Sequence, residues 1–462
     1  MSEKKDKKYI FESAPVPRAV LAMAVPTVIT QLINIVYNFA DTWFVGRTGD
    51  PAMVAAMGVA MPLYVIMAAI ANLFGIGASS AISRSLGQGK PERAQHVFAF
   101  GFWGGMAAAL VYMLIIYFFR APLIMLVGGD EADFAYLYDY MFWTMSLGGI
   151  PTVGNVLCGH LIRSTGDARA AGFGMSLGGV LNIFLDPLFM FVILPPGKEV
   201  TGAAIATLLS NTAALVYFLV YILRRREDPV MTLHPGDISL EDGIPGDVLM
   251  IGLPAAMSTT LAMVSNIAAN VLVRSCGSGA VAGMGVAKKI NMIGFNTCLG
   301  ATQGVLPLIG YCYGAKNFKR MKAVIRFTGI MVLVYGCLCT LFFRSCAGPL
   351  VRFFIDDQGA VSYGRMFLRI IAFASPLASF SYMISTVFQA TGRKWQSFLL
   401  SILRKGLLDI PFMILLRGFY GAGGVVWATP LAEVLSVGIA LLLYFRMLKA
   451  LKGEYAGASA GL

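Results

Sequence analysis

The stretch 181–191 reads LNIFLDPLFMF, with Asn182 and Asp186 four residues apart in an otherwise apolar run. A carboxylate there is costly and marks a functional position by default. A second apolar run carries Asn34, Tyr37, Asn38 and Asp41, whose spacing places them on one face of a helix. Two sheltered carboxylates close together resist ionisation, because desolvation and like charge both oppose it, so such a pair is a proton carrier. The same oxygens, with the Asn182 carboxamide and the Thr207 hydroxyl, equally suit a small hard cation such as sodium. The structural alternative is that these groups only tie neighbouring helices together by hydrogen bonds.

Other polar groups interrupt apolar segments elsewhere. Asp139, Asp409 and Glu433 are acids; Lys288, Lys289, Arg404 and Lys405 are bases. Lys405 and Asp409, four apart, share a helix face and can pair, and Arg404 can meet Glu433 across helices. The bases either bind an anionic part of a substrate or balance the acids. His96, His160 and His234 are too dispersed for a catalytic or metal cluster. The seven cysteines, Cys158, Cys276, Cys298, Cys312, Cys337, Cys339 and Cys346, lack metal-site spacing and read as small packing residues. With no phosphate-cradling glycine motif, ATP is not expected to drive the protein directly. No cofactor is called for, and nothing has the geometry of an intramembrane enzyme.

The elements that position these residues follow from composition. Of 462 residues 57% are hydrophobic and only 13% charged, more apolar surface than a soluble fold of this length can hide. Apolar runs of about 20 residues recur, long enough for helices to cross the bilayer, and they lack the alternation of barrel strands. The expected fold is an all-α polytopic membrane protein with twelve transmembrane spans, near 18–45, 53–84, 94–119, 133–163, 170–194, 201–223, 246–273, 280–312, 321–345, 360–391, 396–416 and 422–446. The charged N-terminus precedes an apolar run without a cleavage pattern, so a retained first membrane helix is expected and not a removable signal peptide.

The net charge of +12 is a matter of topology here, not of nucleic acid. Lys4, Lys5, Lys7, Lys8, Arg84, Lys90, Arg93, Arg163, Arg169, Arg224, Arg225, Arg226, Lys316, Lys319, Arg320, Lys322, Arg393, Lys394, Arg446, Lys449 and Lys452 fall at alternate span ends, while the intervening connections carry few, such as Arg47, Lys198, Arg274 and Arg417. The positive-inside rule makes the crowded side, and both termini, cytoplasmic in the cell (inner) membrane. Spans one and five then run outward and bring Asp41 and Asp186 to similar depth, with Thr207, early in inward-running span six, at the same level.

The long polar connection in the middle divides the chain. The expected organisation is a cytoplasmic tail 1–17, an N-lobe 18–223 of six spans, a linker 224–245, a C-lobe 246–446 of six spans and a cytoplasmic tail 447–462. The halves repeat each other: AAMGVA at 55–60 is answered by AGMGVA at 282–287, Pro26 by Pro254, RSTGD at 163–167 by QATGR at 389–393, DPLFMF at 186–191 by IPFMIL at 410–415, and GAAIAT at 202–207 by GGVVWAT at 423–429. An even number of spans per repeat relates the bundles by a pseudo-two-fold axis along the membrane normal, an arrangement able to rock about a central cleft. Pro26 and Pro187 each remove a backbone hydrogen bond and are hinge candidates or simple packing kinks.

Taken together, VYNFADTWFVGRTG, the GQGKPERA loop, RSTGD, LNIFLDP and GAAIAT resemble the multidrug and toxic compound extrusion (MATE) family over residues 18–446. The resemblance implies cation coupling at Asp41, Asn182, Asp186 and Thr207, with Tyr37 nearby. It also implies a multidrug antiporter that expels amphipathic cationic organic compounds in exchange for protons or sodium. The acids of the first half have no counterpart in the second, where Ala268 or Ala269 and Ile410 stand, and no acid occurs inside spans seven or ten beyond Asp247 at the very start of span seven; this resembles the DinF-like branch and argues against a sodium site in the C-lobe. Asn34, Asn38, Lys288, Lys289, Arg404, Lys405, Asp409 and Glu433 are candidates for lining a substrate cavity. The 25 Met, 31 Phe and 18 Tyr residues suit an adaptable cleft for small organic molecules. A monomer in the lipid bilayer is expected. The rival expectation is a flippase for lipid-linked precursors, for which the C-lobe bases would bind a pyrophosphate.

Overall fold

The computed structural model describes residues 8–225 and 228–459, the side chains of 452–459 excepted. Lys4, Lys5, Lys7, Arg226 and the side chain of Lys452, counted above among the clustered basic charges, lie outside the described residues. Among those residues every regular element is helical, as it must be where lipid offers the backbone no hydrogen-bond partner.

The first half contains α1 (Val16–Gly46), α2 (Pro51–Gly87), α3 (Pro91–Leu126), α4 (Phe134–Met141), α5 (Gly149–Ser164), α6 (Ala168–Leu188) and α7 (Glu199–Arg224). The second contains α8 (Ile244–Arg274), α9 (Ser278–Gly314), α10 (Phe318–Ser345), α11 (Ala347–Arg352), α12 (Gln358–Ile371), α13 (Ala374–Ala390), α14 (Lys394–Ile402) and α15 (Asp409–Ser459). Proline opens α2 and α3 at the first helical position, where its missing N–H costs nothing. The Asp50 side chain caps α2 through the Ala52 N–H at 2.8 Å, and Asp167 caps α6 through that of Ala170 at 3.3 Å.

Among the described residues nine helices are long and apolar enough to cross a membrane. Two expected spans, the fourth and the tenth, are instead bent pairs: α4, with the π-helical stretch Phe142–Leu147, meets α5 at 48°, and α12 meets α13 at 44°. The eleventh and twelfth run on as one stretch, Lys394–Leu451, of 58 residues. At 1.5 Å per residue that is about 87 Å, nearly three bilayer cores, and it divides at Gly421, where φ +57° and ψ −137° break the helix. The third span is longer than expected, reaching Leu126 through a kink at Phe119.

The chain forms two compact units. One joins Met1–Met263 with Gln303–Val324 and Gln389–Gly392; the other holds Val264–Thr302, Ile325–Phe388 and Arg393–Leu462. In the first unit the lysine-rich ends of the helices are drawn together by backbone approaches that only glycine permits. A Cβ at Gly252 would stand 1.7 Å from the Leu73 carbonyl oxygen, and one at Gly77 2.0 Å from that of Val248, so α2 and α8 touch backbone to backbone. The contact repeats between α2 and α9, with Gly87 against Tyr311 and Gly314 against Arg84. Polar contacts close the same end: Arg93 Nη2 lies 2.9 Å from Asp247 Oδ2 and the Ser80 hydroxyl donates to the Gln389 carbonyl at 2.5 Å. The N-terminal segment is laid across it, Phe11 stacking on Tyr311 with centroids 4.7 Å apart and Arg320 donating to the carbonyls of Phe11 and Ile10 at 2.9 and 3.0 Å.

Candidate functional site

The depth of Asp41 relative to Asp186 is set by small residues on α6. A Cβ at Gly172 would stand 2.9 Å from the Pro26 Cβ, and one at Gly179 2.9 Å from Ile33 Cγ2. Between these contacts the Thr30 hydroxyl meets the Gly172 carbonyl at 3.1 Å and the Ser176 hydroxyl at 3.2 Å. The partners Thr30 and Ser176 are 146 positions apart in the chain, as are Pro26 and Gly172, and Ile33 and Gly179. A constant offset means that α1 and α6 run side by side in the same direction. Further along, Phe44 meets Phe191 edge-on at 6.4 Å. Asp41 and Asp186 fall between the glycine contacts and this aromatic one, and the two acids interact electrostatically.

Asp186, Asn182 and Thr207 are all buried, at 0%, 2% and 4% exposure. Asn182 donates to the Thr207 hydroxyl at 3.3 Å, but among the described residues its own Oδ1 and both carboxylate oxygens of Asp186 lack a hydrogen bond of good geometry, although the Asn182 carboxamide stands close to the Asp186 carboxylate. Three acceptor oxygens shut away without a well-placed donor are costly and are relieved only by something positive or protic. Pro187, directly after Asp186, withholds a backbone N–H, and the helix widens into a π-helical turn at Phe189–Ile193. Pro26 leaves α1 continuous and is wedged against Gly172.

Tyr37 faces Asp41, Asp186, Tyr64 and Tyr140 closely enough to interact with each. Tyr64 and Tyr140 were not among the sequence candidates: nothing in their spacing marks them among so many membrane aromatics. Asn155 and Asn211 were also missed, although an amide inside an apolar run is a usable signal. Asn155 donates to Asn211 Oδ1 at 3.0 Å and Asn211 to the Thr207 carbonyl at 2.9 Å, so a ladder of amides leads through Thr207 to Asn182. Asn38 turns back on its own helix, donating to the Asn34 carbonyl at 2.6 Å. Asp139, counted above as intramembrane, lies near the start of the bent fourth span, 37% exposed and 2.8 Å from Lys198 Nζ.

The second unit holds a separate polar cluster. The wide turn at Leu403–Leu408 carries Arg404 and Lys405. Asp409 has a full set of donors: Ser265 at 2.7 Å, Lys405 at 3.3 Å and Thr429 at 3.0 Å. Arg404 lies over the Tyr382 ring, 3.5 Å from its centroid, and 3.7 Å from Glu433. Lys405, Thr429 and Glu433 line a cavity of about 60 Å³, with Asn291 and Ser375 on its wall. Lys288 donates to the Asn266 carbonyl at 3.5 Å, and Lys289 is half-buried. Arg404 and Glu433 are 5% and 2% exposed. Removing one partner strands the other, so Arg404→Leu is expected to destabilise the protein by about 3–5 kcal/mol, with Arg404→Leu/Glu433→Leu recovering most of that. Thermal unfolding of the purified variants reads the difference; equal losses in both would mean the ion pair is not what holds this region.

Comparison with known proteins places this architecture. Residues 26–188 and 254–415 each match the MatE family profile, so one pattern describes both halves. Over 442 residues, 96% of either chain, the sequence is 25% identical to "Multidrug export protein MepA" of Staphylococcus saprophyticus and 26% identical to the protein of that name from Staphylococcus aureus. The fold matches the crystal structure of MATE in complex with MaL6, with a TM-score of 0.91 at 24% identity, covering 97% of this chain and 99% of that one. It also matches the outward-facing conformation of a multidrug resistance MATE family transporter of the MOP superfamily, with a TM-score of 0.90, the same identity and the same coverage.

Proposed function

The chain belongs to the MatE family, and on that footing we propose that it is a secondary active antiporter exporting amphipathic, cationic organic compounds in exchange for protons or sodium ions. One observation carries the reading: among the described residues, Asn182 Oδ1 and both Asp186 oxygens are buried acceptors that receive no hydrogen bond of good geometry. A proton on Asp186, or a sodium ion held by Asp186, Asn182, Thr207 and Asp41, supplies what that set lacks, and Tyr37 stands beside it. Bare, the two carboxylates repel each other; occupied, they do not. Occupancy therefore biases one conformation over another, which is all an exchange mechanism requires of its ion. The proteins named as multidrug exporters support the class of cargo.

In this reading both termini and the closed lysine-rich end face the cytoplasm, the protein works as a monomer without cofactor or catalysis, and Pro26 and Pro187 let α1 and α6 adjust to occupancy. Flippase action on lipid-linked precursors is weakened by the pairing of Arg404 and Lys405 with Glu433 and Asp409, which leaves Lys288 and Lys289 to meet a pyrophosphate. The test is transport of a fluorescent organic cation in proteoliposomes under separately imposed proton and sodium gradients. Flux that follows one gradient identifies the ion. Flux indifferent to both overturns the proposal, and movement of a lipid-linked sugar in its place would favour the flippase.

A further inference from the structure

The 44° bend between α12 and α13 opens a groove of about 600 Å³ against α10. Its floor is tightly built. A Cβ at Gly336 would stand 2.7 Å from the Pro376 Cα, so α10 and α13 meet there at backbone distance. One turn on, the Thr340 hydroxyl donates to the Ala372 carbonyl at 2.6 Å, occupying an acceptor at the break between α12 and α13. Above this floor the lining combines apolar Cys337, Leu341 and Phe373 with the basic Arg344 and Arg369.

The two arginines are held next to each other. Arg369 Nε donates to the Arg344 carbonyl at 3.3 Å, and the Arg344 guanidinium lies over the Phe373 ring, 4.1 Å from its centroid. Phe373 is itself stacked on Trp427, with centroids 5.8 Å apart. Among the described residues neither guanidinium has an ion pair. Asp357, a nearby acid in sequence, is engaged in capping α12, accepting from the Ala360 N–H at 2.7 Å. Arg344 also lies at the end of α10 opposite its Lys319, Arg320 and Lys322, where the charge pattern leads one to expect few bases; Arg352, Arg365 and Arg369 fall on the same side.

We infer that this groove is a binding site for an anionic phospholipid, its phosphate between Arg344 and Arg369 and an acyl chain along Leu341, Phe373 and Pro376. Two adjacent cations without an acid repel each other, and a phosphate between them converts that repulsion into attraction. The apolar wall beside them is the shape of a lipid and not of a free ion. The groove lies on the surface of a membrane-spanning pair of helices, where phospholipid is the surrounding solvent, and bases near a membrane surface favour its anionic members. The site is separate from the Asp41–Asp186 pair and independent of what that pair carries.

The experiment is native mass spectrometry of the purified protein titrated with phosphatidylglycerol or phosphatidylcholine. Wild type is expected to retain phosphatidylglycerol in preference, and Arg344→Gln/Arg369→Gln to lose that preference by roughly thirtyfold. Arg344→Lys/Arg369→Lys should keep most of it. Unchanged melting of the glutamine variant in phosphatidylcholine would locate the loss in the site and not in the fold. A glutamine variant that still prefers phosphatidylglycerol overturns the inference. So does displacement of phosphatidylglycerol by millimolar inorganic phosphate, which would make the groove an anion site and not a lipid site.

Discussion

Asp186→Asn is expected to reduce ion-driven export to background, a fall of at least about a hundredfold, while the protein still inserts and folds. The carboxamide is nearly the shape of the carboxylate but brings its own N–H donors. One of them can reach the orphaned acceptor on Asn182, so the site no longer needs an ion to be satisfied. Stranding or removing a buried charge is worth about 3–5 kcal/mol, which corresponds to two or more orders of magnitude in occupancy. Asp41→Asn should do less, because Asp41 is half-buried and has water as a partial substitute. Counterflow in proteoliposomes, where cargo exchanges for cargo without an ion gradient, separates coupling from cargo binding: the Asp186 variant should retain counterflow. If it couples as well as wild type, the buried acceptor set is structural only.

The other large effect lies at the closed end of the first unit. Gly252→Ala places a methyl group 1.7 Å from the Leu73 carbonyl oxygen, and a Cβ has no rotamer by which to escape a backbone atom. The α2–α8 contact must then open, and the closed state is lost together with the transport cycle that depends on it. Cys312, 1% exposed in α9, reports the change directly. In a variant keeping that thiol alone, its reaction with a small maleimide should be slow in the parent and at least about tenfold faster with Gly252→Ala, as expected when a closed, buried site becomes the minor state. An unchanged labelling rate would mean that the contact yields elsewhere and that this end can close without it.

Much of this was legible in the residues. Asp41 and Asp186 could be set at one depth from span direction and four-residue spacing alone, because a charge in hydrocarbon is conspicuous and a helix has a fixed rise. The pairing of Lys405 with Asp409 was likewise a matter of spacing on one helix. The two broken spans were not legible: 133–163 and 360–391 are predominantly apolar, and hydropathy does not distinguish a straight helix from one that turns by 44° or 48°. The partner of Asp139 was not legible either: Lys198, 59 positions on, meets it at 2.8 Å only because the helix packing brings the two together. Tyr64 and Tyr140 could not be found, since which aromatic faces an acid depends on helix rotation, and rotation is decided by tertiary contacts such as those of Gly172 and Gly179.

Those two glycines constrain how α1 and α6 can shift against each other. Side chains seated in notches at regular intervals have no stable position part-way between them, so a slide of one helix past the other must cover a whole turn, about 5.4 Å, or not occur. Smaller displacements must tilt or bend the two together, which keeps the Asp41 and Asp186 carboxylates level through the excursion, so that an ion shared between them, as proposed, would travel with the pair and not be pulled apart.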